Sequence, residues 1–355
     1  RASRRISRCV LLLLLVLGAV VQEVWPTPCA VAVGSPTHLV VLQHGLSGTV
    51  ADLNRLGAEL QQACPDVLVH SATSNFGRTT DGVAAGGLRL AEEIRAVAAQ
   101  HPTVCELSLV GNSLGGLYAR FAAGELWAAS GDGETLAGLR PATFVSIGCP
   151  HLGIRRFTFL PVPDVLHGAS RAVVGRTGED LFLLGSEPLL PKMAEPGGRF
   201  DRGLRAFRRR GLYANLWGDF MAPWVPFGTA ALEPEWGPGA ADEARVTDFV
   251  HRPGVAVVDE QVLRRQRDGV ALALETPTVS GQAEDRGEAS EEKRMAGLLE
   301  ACGWSKFAVG FRRTSSLFPM AHNKISALTR EGWRKDAFAW LERTEDGKSL
   351  LPHIA

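Results

Sequence analysis

Two hydrophobic patterns alternate along the chain. Short apolar runs recur at His38 to Gln43 (HLVVLQ), Val67 to Val69, Leu107 to Val110, Thr143 to Ile147, Gly211 to Leu216 (GLYANL) and Lys306 to Arg312 (KFAVGFR). Runs this short, with so few polar breaks, predict strands buried on both faces of a parallel sheet. Between them lie stripes at helical spacing: Leu53, Leu56 and Leu60, then Leu90, Ile94 and Val97, then Leu117, Tyr118, Phe121 and Ala122. Each reads as a helix with a core-facing side. Trp333 to Leu341 reads as a C-terminal helix, and no internal repeat is present. Strands alternating with helices, joined by right-handed crossovers, give the α/β class: a mostly parallel sheet with helices on both faces.

The alternation breaks in three places. From Ile154 to Arg202 the chain holds Phe157, Phe159, Leu160, Val162, Val165 and Leu166, then Leu181 to Leu184, Leu189 and Leu190. Such a stretch reads as an inserted helical cap. Its apolar residues complete the core, roof a site as an acyl pocket, or do both. Pro277 to Met295 carries eight charged residues and almost no large apolar ones, so it reads as a solvated or disordered insertion. At the start, Arg1, Arg4, Arg5 and Arg8 precede twelve uncharged residues, Val10 to Val21, and then Ala30-Val31-Ala32. A basic cluster, a short apolar run and a small-residue site resemble a secretory signal, and the run is short for a membrane span. The expected location is therefore a membrane system or the secretory pathway, with an intracellular or organellar site as the alternative. Residues 1 to about 34 are set apart from the fold.

Composition narrows the function classes. Lys+Arg and Asp+Glu are equal at 38 each, and no basic helix is interleaved with aromatics, which argues against nucleic acid as a partner. Cys9, Cys29, Cys64, Cys105, Cys149 and Cys302 are scattered without metal-ligand spacing. They are expected to be buried free thiols, with no metal and no cofactor.

The chemistry gathers at Val104 to Ala123 (VCELSLVGNSLGGLYARFAA), where Ser113 sits inside Gly111-Asn112-Ser113-Leu114-Gly115. A strand stops there and a helix begins. A G-x-S-x-G turn in that setting is tight enough to need glycines beside the serine, and it lifts the hydroxyl clear of the sheet. Serine needs a base, and the base needs a carboxylate to hold its tautomer. Both should follow the serine at the ends of later strands, in the order Ser, acid, His. His322 lies in a loop after the last strand and is the candidate base. Asp219 ends a strand in the required interval and is the candidate acid, with Asp248 next. His44 and His151 are better placed to shape the site. Two backbone N–H groups should form an oxyanion hole: Leu114, next to the serine, and Leu46, in the His44-Gly45-Leu46 loop after the first strand.

The blocks HLVVLQHGLSGTVADL, GNSLGGLYARF, Thr80-Asp81-Gly82 with its following helix, FVSIGCPHLG, RTGEDLFLLG, GLRAFRRRGLYANLWGDFMAPWVPFGT and AHNKI, in that order, resemble the putative serine esterase family, a lipase-like group of α/β-hydrolases. The resemblance spans roughly Thr37 to Ile325. It implies an α/β-hydrolase fold over about 35–345, with a cap at about 154–202 and the insertion at about 277–295. It assigns Ser113, Asp219 and His322 as nucleophile, acid and base, with Asn112 standing where the group more often has His. The implied activity is hydrolysis of lipid acyl esters through an acyl-enzyme, with a lipid or other acyl ester as partner and a lipid surface nearby. Transfer to an alcohol, or binding without catalysis, is the alternative. Oligomeric state is left open.

Overall fold

The computed structural model describes residues 35–155, 164–215, 271–276, 291–311, 321–329, 348 and 350–355. The signal-like segment, Asp219, Asp248 and the Trp333–Leu341 helix lie outside them.

Seven strands form one sheet: β1 (His38–Gln43), β2 (Val67–Ser71), β3 (Glu106–Asn112), β4 (Arg140–Ile147), β5 (Arg209–Asn215), β6 (Ala271–Thr276) and β7 (Ser305–Phe311). Their order is β2-β1-β3-β4-β5-β7-β6, and all neighbours are parallel except β6, which pairs antiparallel with β7 at the edge. Six of the strands were legible as apolar runs. β6 (ALALET) was not read from the sequence, although Asp268-Gly269 and Pro277 bound it.

Helices cover both faces. α1 (Asn54–Ala63), α2 (Val83–Gln100) and α3 (Leu114–Ser130) connect successive strands. Strict side-chain alternation explains the double burial. Leu39 and Val41 pack with α2 and α3, whereas Val40 and Leu42 pack with Leu53, Leu56 and Leu60 on the other side. This is the α/β-hydrolase arrangement, a mostly parallel sheet with a serine turn at the end of a central strand.

The interval after β4 holds α4 (Ser170–Leu181), α5 (Leu189–Ala194) and α6 (Arg199–Arg205). Leu181, Phe182, Leu183 and Leu190 are buried in the main core, which also holds Phe121, Leu126 and Phe200. Of the two readings of this stretch, these residues follow the core-completing one. Phe157, Phe159, Leu160 and Val162 lie outside the described residues.

One boundary needs correcting. Glu291 to Met295, expected in the solvated insertion, begins α7 (Glu291–Glu300). Met295 is fully buried with Leu299, Cys302 and Trp304, so the charge run is one turn of an amphipathic helix. Residues 277–290 lie outside the described set. The thiol reading also holds only in part. Cys149 and Cys302 are buried, but Cys64 is exposed at the end of α1 and Cys105 is half-buried. Burial pushes the Cys302 thiol up to about 11, so it is inert at neutral pH.

A carboxylate fastens the loop after β2. Glu93 on α2 accepts from His70 Nε2 at 2.9 Å, from the Thr73 N–H at 2.8 Å and hydroxyl at 2.9 Å, and from the Ser74 N–H at 3.0 Å. Burial alone would raise this carboxyl, but the hydrogen bonds from His70, Ser74 and Thr73 outweigh it and hold it down at about 2, against an ordinary 4.5. A folded-state value below the unfolded one stabilises the protein above the ordinary value, and that stability is lost as pH falls through the folded one. Glu93→Gln should therefore unfold about 1–2 kcal/mol more easily in urea at pH 7. The gap to wild type should close between pH 4.5 and pH 2. A gap that stays constant over that window would show that the carboxylate charge contributes nothing.

Candidate active site

Topology selects the place. From β1 the chain turns outward to β2, and from β3 it turns the other way to β4, so the loops after β1 and β3 diverge. Ligands in open α/β sheets bind at such a switch, outside the carboxyl ends of the strands. Register does the rest: Gln43 is level with Gly111, and Asn112 with Ile147. His44 and Gly45 thus run beside Ser113, with Gly148 on its other side.

Ser113 occupies a turn that L-residues avoid, with φ 55° and ψ −130°. A residue held there costs of order 1–3 kcal/mol, so its surroundings must over-determine it. They do so through two hydrogen bonds and two close approaches. The Ser113 N–H donates to the Ile147 carbonyl at 2.8 Å, and the Gly116 N–H donates to the Ser113 carbonyl at 2.9 Å. A Cβ on Gly111 would lie 2.4 Å from the Gly116 Cα, and one on Gly115 would lie 2.3 Å from the Gln43 carbonyl oxygen. The two glycines of the elbow are therefore spatial necessities, as the motif implied.

His322 lies on α8 (Ala321–Lys324), and its Nε2 is 2.8 Å from Ser113 Oγ. The two residues are 209 positions apart, and both are almost fully buried. Three anchors hold this segment to the face that carries α1. Ile325, Ala327 and Leu328 are buried against Leu53 and Leu56. The Thr329 N–H donates to the Asp52 carbonyl at 2.8 Å, and Arg55 Nη1 donates to the Ala327 carbonyl at 3.2 Å. Gly148 faces the ring, a Cβ there being 3.5 Å from His322 Nδ1.

The other two histidines sit nearby in different roles. His151 bonds Ser146 Oγ through Nε2 at 2.8 Å. Burial, with the Arg120 charge adding, holds its imidazole well below the ordinary range, so it stays neutral. His44 turns its Nδ1 to the Gly45 carbonyl at 3.0 Å. His44 is thus part of the loop beside Ser113, and His151 is tied to the end of β4.

Gly45 crosses directly over the serine; a Cβ there would lie 3.2 Å from Ser113 Oγ. Leu114 is the first residue of α3, so its N–H has no intrahelical acceptor. The Leu46 N–H has no hydrogen-bond acceptor among the described residues. Ser113, His322, Leu114, Leu46, Gly45 and His44 are thus gathered at one end of the sheet. Asp219 lies outside the described residues, six positions beyond Tyr213, which pairs with Ile147 beside the elbow.

A brace that the sequence did not disclose surrounds the β1 loop. Thr79 Oγ1 accepts the Ser47 N–H at 2.9 Å, and the Thr79 carbonyl accepts from the Tyr118 hydroxyl at 3.1 Å and the Thr177 hydroxyl at 2.7 Å. Thr177 lies on α4, so this junction ties the inserted helices to the elbow helix and to the β1 loop. No local pattern marks Thr79; only the fold brings its partners together.

The pattern of the family described as "Putative serine esterase (DUF676)" matches residues 34–232, more than half of the chain. The chain belongs to this putative serine esterase family. The match takes in Leu46, Ser113 and Asp219 and stops short of His322. Among curated relatives, the chain is similar to "Putative lipase C4A8.10" of Schizosaccharomyces pombe, with 31% identity over 64% of this chain and 30% of that protein. It is also similar to "Putative lipase ROG1" of Saccharomyces cerevisiae, with 31% identity over 59% of this chain and 31% of that protein. The chain thus spans about a third of the length of these family relatives. Among solved structures, lipase BlEst2 of Bacillus licheniformis in its propeptide form aligns at a TM-score of 0.36 and 14% identity, covering 52% of this chain and 37% of that one. No group of three or more His, Cys, Asp or Glu that could hold a metal ion occurs among the described residues. No helix among them is long and apolar enough to cross a membrane.

Proposed function

We propose that this protein is a serine carboxylester hydrolase that acts on lipid acyl esters through an acyl-enzyme. The observation that carries the reading is the 2.8 Å contact between Ser113 Oγ, on a strained elbow, and His322 Nε2. In this mechanism the Ser113 proton passes to His322 Nε2 as Oγ attacks the ester carbonyl carbon. For Nε2 to accept, the hydrogen of neutral His322 must sit on Nδ1, and Asp219 is assigned to hold it there. The carbonyl oxygen takes up negative charge between the Leu46 and Leu114 N–H groups. The imidazolium then protonates the leaving alcohol, and a water activated by the same ring releases the acid. Membership of the serine esterase family supports the reaction class, and the lipase names of the relatives support a lipid substrate.

The test combines fluorophosphonate labelling with kcat/KM for p-nitrophenyl esters from acetate to palmitate, with detergent controls. Ser113 should be the labelled residue. Each substrate CH₂ buried in an acyl site adds at most about 0.8 kcal/mol, partly offset by ordering the chain. Preference should therefore rise with acyl length until the site ends. A profile that peaks at acetate and falls steadily would reduce the reading to a small-ester hydrolase. Absence of both labelling and turnover would end it.

A further inference from the structure

The peptide unit joining Gly45 to Leu46 is planar and trans, so its C=O and N–H point in opposite directions. Whatever fixes the Gly45 oxygen also aims the Leu46 N–H. Two groups fix it: the Gly48 N–H at 3.1 Å and the His44 ring through Nδ1 at 3.0 Å. A carbonyl oxygen only accepts, so Nδ1 must carry the hydrogen.

The ring is itself held from behind. His44 is 2% exposed. Its own carbonyl accepts from Gln43 Nε2 at 3.0 Å, and Gln43 Oε1 accepts from Asn75 Nδ2 at 3.1 Å. Asn75 is fully buried, and its Oδ1 accepts from Arg89 Nε at 3.0 Å. Its Nδ2 also donates to the Gly86 carbonyl at 3.0 Å. His44 Nε2 has no partner among the described residues, so the ring's hydrogen bonding there is spent on the Gly45 oxygen.

We propose that His44 is a positioning residue: its Nδ1–H locks the Gly45–Leu46 peptide so that the Leu46 N–H faces the oxyanion formed at Ser113. The proposal rests on the hydrolase reading above. Donation into the Gly45 carbonyl also polarises the amide, which makes its N–H a better donor where charge develops. Gly48 shows how tightly the device is built, since a Cβ there would lie 2.9 Å from Asp52 Oδ2 and 3.0 Å from His44 Nδ1.

Side-chain geometry supplies a sharp test. The amide nitrogen of Asn takes the place of His Nδ1, whereas that of Gln takes the place of Nε2. His44→Asn therefore keeps the donor to Gly45, and His44→Gln removes it; His44→Phe removes it while keeping a ring. The readouts are kcat and KM for p-nitrophenyl butyrate, and the inhibition constant of a trifluoromethyl ketone. That ketone adds Ser113 Oγ at its carbonyl carbon, the serine proton going to His322 and the negative oxygen into the hole. Concentrations of folded enzyme are set by fluorophosphonate titration, with thermal unfolding as the control for the fold.

His44→Gln and His44→Phe should lower kcat by about tenfold to a hundredfold with KM changed by less than about threefold, because only transition-state stabilisation is lost. The ketone should weaken by the same factor, and His44→Asn should stay within about threefold of wild type. Equal losses in the Asn and Gln variants, or no loss in either, overturn the proposal alone. A wild-type protein that hydrolyses no ester overturns the hydrolase reading and this proposal with it.

Discussion

Ser113→Ala should abolish ester hydrolysis, lowering kcat by at least about 10³-fold and as much as about 10⁶-fold, with thermal unfolding unchanged. The loss is large because the hydroxyl is the atom that the rest of the site is arranged around. Its oxygen receives the approach of His322 Nε2 at 2.8 Å and lies beneath Gly45. The fold should hold because alanine meets the same backbone strain at φ 55° and keeps both hydrogen bonds of the serine peptide. His322→Ala should cost nearly as much, and the double variant little more than either alone, since the pair acts as a unit. Turnover within about tenfold of wild type, in protein freed of contaminating esterases, would remove Ser113 from the mechanism.

Gly115→Ala should be severely damaging for a single added methyl group. The added Cβ would lie 2.3 Å from the Gln43 carbonyl oxygen and 2.7 Å from that of His44. Both obstacles are backbone, so neither can rotate away. Either α3 or the end of β1 must move, and overpacking of this kind costs typically 1–3 kcal/mol, here about 3 or more. Activity should fall further than stability does, because the same movement separates Ser113 from the Leu46 N–H. Gly131 is the control. It ends α3 at φ 72° with nothing within 4 Å of a Cβ, so Gly131→Ala should cost only about 1 kcal/mol, the strain of a left-handed alanine. Urea unfolding and kcat/KM of the two variants check this. If they behave alike, conformation and not contact governs the elbow.

The fold class was legible because its signals are local. A strand buried on both faces must be apolar at every position, as in Leu39 to Leu42, and a helix on the sheet must repeat its apolar residues every third or fourth place, as in Leu53, Leu56 and Leu60. The elbow was legible for the same reason. The Gly111 obstacle lies within five residues, so that constraint is local, whereas the Gly115 obstacle is the end of β1, which only the sheet brings close. His322 could be nominated from chain order, which the fold class restricts.

The remainder depends on partners that no local pattern specifies. The cap residues Leu181 to Leu183 and Leu190 satisfied two readings equally in sequence, because an apolar side chain does not record which apolar surface it meets. Only the fold shows these four side chains buried in the main core. Glu291 to Met295 looked solvated because its charges are consecutive, yet Glu292 and Met295 are both buried and turn that segment inward. β6 pairs at the sheet edge, where one neighbour suffices and the hydrophobic demand is weak. Thr79, Asn75 and Gln43 are ordinary polar residues in sequence; they become supports for the β1 loop only because hydrogen bonds join chain segments tens of residues apart. The sequence by itself determined the alternation of strand and helix and the serine turn, both of which short-range sterics and periodicity dictate. The tertiary structure alone decided which atoms stand 2.8 Å apart across 209 residues, since that distance depends on strand register and core packing.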